Sequence, residues 1–335
     1  MFHFACIVMV NKYLKNVKKF LPLIGIIILL YLIFSLDIEK IKDAFLSINP
    51  FFIIIALSLT LPRLLIRNFA WQLIQKEQKI SIGFYESLKI FLIGFFYGSV
   101  TPGYIGQLMR VPLMKEKTGM PYGKLFVNST LEVIVHTMSI YGMILLGAFL
   151  VIGTRPDLFL ISLIAILIII SILLFFVKKE RGEKLFYFLI KYFIPKKLKT
   201  KLLKFVDTFY TDFPGVRKLI VPMILGIFTW IIIFSQEYFV IIALGLDIPY
   251  LYFLLLYPIA NVIGFIPITF AGLGTREAVA IFLFYSVCQF NVLEEEILVV
   301  SLVGFLLTDI FTGFLGFLVS LSENRLKNLM PHENL

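Results

Sequence analysis

The chain has 335 residues, 60% of them apolar and only 16% charged, with a mean hydropathy of +0.96. Soluble domains carry roughly 45–50% apolar and about 25% charged residues, so a single water-soluble core and intrinsic disorder are both excluded. Two distant cysteines (Cys6, Cys288) and three scattered histidines (His3, His136, His332) support neither a disulfide framework nor a zinc site, and the net charge of +10 points to anionic partners.

A membrane-crossing helix needs about 20 mainly apolar residues, because its amides must find partners within the segment where no water is present. In chain order the candidates are 20–36, 49–62, 125–152, 158–177, 219–244, 249–271, 278–293 and 297–321, eight crossings in all. Residues 1–10 are apolar and precede Lys12, Lys15, Lys18 and Lys19, the reverse of a secretory signal, so no cleaved leader is expected; Met9 is an alternative start.

Basic loops stay in the cytoplasm. Residues 178–218 carry twelve Lys or Arg against four acids, residues 63–89 carry five, and the N-terminus carries four; these are placed inside, with both termini cytoplasmic. The apolar run 90–113 cannot then cross, because Lys115, Lys117 and Lys124 must also stay inside. It is expected to enter and return, broken at Thr101-Pro102-Gly103, where proline and glycine stop a helix. A kinked ordinary span is the competing reading. In 178–218, Leu198, Leu202, Phe205, Val206 and Phe209 repeat at helical spacing among lysines, as does a stripe from Leu185 to Phe193. Such helices lie flat on anionic lipid. The basic balance is therefore a membrane-surface signal, and no folded basic module for nucleic acid is visible.

The expected architecture is an all-α polytopic protein of about eight transmembrane helices plus one or two re-entrant or broken helices, forming one integral membrane domain over 1–335. Its first half runs from about 20 to 177, its basic amphipathic linker over 178–218, and its second half over 219–321.

A charge inside a bilayer costs about 2.5–3.5 kcal/mol on insertion scales, so tolerated charges face a partner or a polar path. These are Arg110, Glu132 with His136 four residues on, Glu237, the Arg276-Glu277 pair, and Asp309. Glu132 and His136 share a helical face and could bond one another. Arg110 and Arg276 each follow a broken segment, Gly103 and Gly106 before the first, Gly272 and Gly274 before the second. Free amides at such a break, completed by a guanidinium, suit an anion such as a lipid phosphate. Snorkelling to headgroups is the plainer role for a single arginine. Ile93-Gly94-Phe95 before the first break and Ile263-Gly264-Phe265 before the second suggest an internal pseudo-repeat of the kind transporters use, though the gaps drift.

Pro102-Gly103-Tyr104-Ile105-Gly106-Gln107-Leu108-Met109-Arg110 and Pro267-Ile268-Thr269-Phe270-Ala271-Gly272-Leu273-Gly274-Thr275-Arg276-Glu277 carry a family resemblance. They resemble the two signatures of the lysylphosphatidylglycerol synthase and flippase transmembrane region, a family that includes the UPF0104 membrane proteins. The likeness spans most of the chain. Gln107 stands where the family has Glu, Phe270-Ala271 where it has Pro-Gly, and Glu132-Val133-Ile134-Val135-His136 where it has Glu-Arg-x-x-Asp.

The resemblance implies movement of an anionic polar or isoprenoid-linked lipid between leaflets. Gly103, Gly106, Gln107, Arg110, Glu132, His136, Glu237, Gly272, Gly274, Arg276, Glu277 and Asp309 would then line the substrate path. Membrane lipids are the expected partners, and the sequence leaves a homodimer open. No cofactor, metal or nucleotide loop is expected, and the longest polar stretch, 178–218, is well short of a catalytic domain of about 100–150 residues. Two alternatives remain: an intramembrane lipid-modifying enzyme using Glu132 and His136, and an ion-coupled carrier of a soluble solute in which Glu237 and Asp309 carry protons.

Overall fold

The computed structural model describes residues 27–177, 213–263 and 272–329, with short pieces at 184–188, 190, 192, 199–200, 203 and 206–207. The start of the first expected span, much of the 178–218 stripe, Gly264-Phe265 and Pro267 to Ala271 lie outside the described residues. Every regular element among the described residues is helical. The protein is an all-α membrane protein. Among the described residues, four helical runs are long and apolar enough to cross a bilayer, Pro50–Glu77, Tyr122–Leu150, Val216–Ala243 and Glu294–Glu323, and Pro156–Ser171 and Tyr250–Ile263 are shorter apolar helices.

Two details depart from the sequence reading. The helical run from Pro50 does not stop at Pro62 but continues to Glu77. Arg63 and Arg67 therefore sit on a continuous helical run, not in a loop, and are largely shielded from solvent. The Ala278 to Leu293 segment is α-helical from Thr275 to Ile281 and then π-helical from Phe282 to Val287. Its thirteen helical residues after the Gly272–Gly274 turn make roughly 20 Å, shorter than the hydrocarbon thickness of about 30 Å. The run 90–113 is broken where proline and glycine suggested. A helix ends at Ser99, a 3₁₀ turn spans Pro102–Met109, and a new helix starts at Arg110.

The chain forms two compact units that do not follow its sequence halves. One comprises residues 1–60, 92–107 and 233–335; the other comprises 61–91 and 108–232.

In the second unit, apolar side chains and small residues bring helices together. Ile74, Val127, Leu131, Val135 and Leu219 form a buried cluster. Gly226 faces Ser139 so closely that a Cβ would overlap its hydroxyl, and Ser139 Oγ lies 2.9 Å from the Met223 carbonyl oxygen. Buried amides tie the same helices. Trp71 Nε1 donates to Asn128 Oδ1 at 2.8 Å, and Asn128 Nδ2 donates to Gln78 Oε1 at 2.7 Å. Between helices in lipid, such small-residue contacts and polar bonds take the place of the hydrophobic drive.

In the first unit, Asp37 caps the Ile38–Ser47 helix by accepting from Glu39 N, and Asn49 caps the next by accepting from Phe51 N with Pro50 in its first turn. Phe234, Phe253, Tyr257 and Phe284 pack as an aromatic core. The Glu294–Phe305 helix packs on both Thr275–Ile281 and Ile38–Ser47. At the C-terminal helix, Gly316 lies against the Leu92 carbonyl, leaving no room for a Cβ. Gly316→Ala is accordingly expected to destabilise by about 1–3 kcal/mol, the usual range for overpacking. Gly142→Ala, where a Cβ meets nothing within 4 Å, should not. Thermal unfolding of the two variants in detergent decides it.

Candidate functional site

Each unit buries a charged cluster. In the second unit the Thr60–Glu77 helix supplies Arg67 and Trp71, the Tyr122–Leu150 helix supplies Glu132 and His136, and Arg110 opens its own helix. Glu132 is the hub. One carboxylate oxygen accepts from Arg67 Nε at 3.0 Å and the other from Arg110 Nη1 at 2.5 Å. Arg110 has no exposed surface, and its guanidinium lies over Trp71 and Phe91 at 5.3 and 4.5 Å from their ring centroids. Aromatic faces stabilise a desolvated cation in a way a lysine would use less well.

His136 does not bond Glu132 in the manner its spacing allowed; Glu132 gives its oxygens to the arginines. The imidazole stacks on Trp230 at 4.5 Å between centroids and 11° between planes, and Trp230 Nε1 donates to the His136 carbonyl at 2.8 Å.

In the first unit the break before Arg276 is a glycine turn. Gly272 and Gly274 have φ of +80° and +83°, left-handed values that glycine alone adopts freely. The chain then enters the Thr275–Ile281 helix. Glu277 Oε2 accepts from Gly274 N at 2.5 Å, and Oε1 accepts from Arg276 Nη2 at 2.6 Å and from Ser301 Oγ at 3.0 Å. Tyr257 OH completes the set by donating to Ser301 Oγ at 2.9 Å. Arg276 lies over the Phe305 ring at 4.7 Å.

Glu237 and Asp309 meet at Thr308. The hydroxyl lies 3.4 Å from Glu237 Oε1, 3.0 Å from Asp309 Oδ2 and 2.9 Å from the Gly304 carbonyl oxygen. Three acceptors thus surround a group with one proton to give. Thr308 and Asp309 lie in a π-helical segment, Leu306–Ile310, inside the last helix, an irregularity frequent at functional sites. Tyr104 OH donates to Asp309 Oδ1 at 2.7 Å from a backbone with φ of +55°, unusual for a bulky residue.

The remaining predicted residues are structural neighbours of these. Gly106 lies so close to the Tyr97 carbonyl that a side chain could not fit, and its amide donates to Thr101 Oγ1 at 2.7 Å. Gln107 packs its side chain on Gly98, and Gly103 falls within the same 3₁₀ turn.

Arg110 falls in one unit and Arg276 in the other, and each is engaged by a carboxylate. The sequence reading missed Arg67, Trp71, Trp230, Tyr257, Ser301 and Thr308. The first had a visible signal: Arg63, Arg67 and Trp71 recur every four residues, along one helical face.

Long apolar helices with arginine–carboxylate clusters buried among them define the class: a polytopic α-helical membrane protein that holds charged side chains in its interior. Residues 22–316 match the lysylphosphatidylglycerol synthase TM region, and the chain belongs to that family. It is 22% identical over 320 residues to a UPF0104 membrane protein of Methanocaldococcus jannaschii, covering 91% of this chain and 94% of that one. A UPF0104 membrane protein of Pyrococcus horikoshii is 23% identical over 321 residues, covering 89% and 96%, and one from Methanothermobacter thermautotrophicus is 23% identical over 295 residues, covering 82% and 86%.

Proposed function

We propose that the chain moves an anionic polar or isoprenoid-linked lipid between the leaflets of the cell membrane, with both termini cytoplasmic and the lipid transported rather than chemically converted. The observation that carries this reading is the pair of guanidiniums, Arg67 and Arg110, gathered on the single carboxylate of Glu132. Two positive charges against one negative give these three groups a net charge of +1. In a low-dielectric interior an excess charge is stabilised by an anion, and a lipid phosphate is the anion a bilayer supplies. Membership of a family described by a lipid synthase's membrane region supports the same substrate class.

Vesicles reconstituted with the protein and a labelled anionic phospholipid provide the test. Wild-type protein is expected to speed leaflet exchange, and Arg67→Gln to slow it at least tenfold. Unchanged exchange in both Arg67→Gln and Arg276→Gln overturns the reading.

A second reading has its own observation, the convergence of Glu237, Asp309 and Gly304 on one hydroxyl proton. Carboxylates within apolar helices are the groups a proton-coupled carrier of a soluble solute would use. Transport driven by a proton gradient without lipid exchange would favour it.

A further inference from the structure

Between three helices of the second unit lies a cavity with room for about one water molecule, its largely apolar wall, including Ile74 and Val135, interrupted by Arg67, Glu132, His136 and Thr229. His136 is 8% exposed, and its Nε2 is buried without a hydrogen-bond partner among the described residues. Buried polar atoms are nearly always paired, so an orphan at a cavity marks where a ligand atom belongs.

The chemistry of the walls says which atom. Glu132 does not repel an anion here, because its two oxygens are held by Arg67 Nε and Arg110 Nη1. The local count is cationic, and Arg63 lies near enough to His136 to add to it. Only one of the five N–H donors of Arg67 is needed for the bond through Nε. The Trp230 stack and its bond to the His136 main chain hold the imidazole in place.

We infer that this cavity seats one oxygen of a phosphate anion, with His136 Nε2–H and the Arg67 guanidinium as donors. Either the Nε2–H tautomer or the charged imidazolium can donate, so the assignment does not depend on the ring's charge. Only one oxygen enters; the rest of the headgroup stays at the mouth. The inference rests on the lipid-transport reading only for where the phosphate comes from.

Trp71 and Trp230 are the two tryptophans of the chain and both lie at this site, so fluorescence excited selectively at tryptophan, away from the 15 tyrosines, reads it. The full chain in detergent micelles is titrated with dihexanoyl phosphatidic acid, with inorganic phosphate and with dihexanoylglycerol. Phosphatidic acid is expected to give a saturable change. His136→Phe keeps the ring stack and the main-chain acceptor of Trp230 but should weaken binding at least fivefold, Arg67→Gln at least tenfold, and His136→Gln, which restores a donor near Nε2, should recover to within threefold of wild type. A matching response to inorganic phosphate supports the site and shows that the anion alone is recognised; a response to phosphatidic acid alone supports it with a lipid source.

Ring-labelled histidine in the wild-type chain gives a second readout, one of three imidazole nitrogen-15 signal sets shifting on addition of phosphatidic acid. The inference fails if no phosphate probe saturates, if dihexanoylglycerol acts equally, if folded His136→Phe binds like wild type, or if no ring shifts. Binding without leaflet exchange would leave the site standing and remove the transport reading; exchange without binding would do the reverse.

Discussion

Glu132→Gln is expected to destabilise the protein by about 3–5 kcal/mol, the range for removing one partner of a buried ion pair. The change keeps the side chain's shape and removes the charge that Arg67 and Arg110 share at 3.0 and 2.5 Å. A glutamine offers one acceptor oxygen where two guanidiniums each need one, and its NH₂ must face a cation. Arg110 cannot escape to water, being fully buried against Trp71 and Phe91. Combining Glu132→Gln with Arg110→Met should recover part of the loss, since methionine fills the aromatic slot and leaves the amide to Arg67 alone. Thermal unfolding in detergent of the two single variants and the double closes a mutant cycle. Strict additivity would show that the pair does not interact, contrary to its geometry.

Glu277→Gln should be at least as damaging, again about 3–5 kcal/mol, for a different reason. Both oxygens of this carboxylate act as acceptors: one takes the Gly274 amide, the other takes Arg276 and Ser301. An amide must turn its NH₂ toward one of these donors, so one end meets donor against donor whichever way it is placed. The affected bonds also fix the glycine turn, so the loss should include local order. Limited proteolysis near residue 272 should quicken in Glu277→Gln and not in Glu294→Gln, where the charge sits on the first turn of a separate helix. Equal cleavage in both would remove the capping role assigned to Glu277.

Much of this was legible in one dimension. The price of a charge in hydrocarbon is set residue by residue, so Arg110, Glu132, Glu237, Arg276, Glu277 and Asp309 stand out without any knowledge of their neighbours. Backbone chemistry is equally local: the breaks at Thr101-Pro102-Gly103 and at Gly272 and Gly274 come from residues that stop helices or adopt left-handed dihedrals. Arg67 was misplaced because a helix continuing past Pro62 turns two loop cations into buried ones, and a window that averages hydropathy cannot see the partner that makes this tolerable.

The sequence by itself therefore determined the membrane class, the family likeness and the set of polar residues that the bilayer must accommodate. The tertiary structure alone decided how they pair: Glu132 with an arginine 65 positions earlier, Tyr104 with Asp309 across 205, and Arg110 and Arg276 each with its own carboxylate. The physical reason is that solvation acts on each side chain separately, whereas hydrogen bonds and ion pairs require atoms within about 3 Å. That proximity is fixed by helix packing, close approach at glycines and π-helical register, none of which has a local signature.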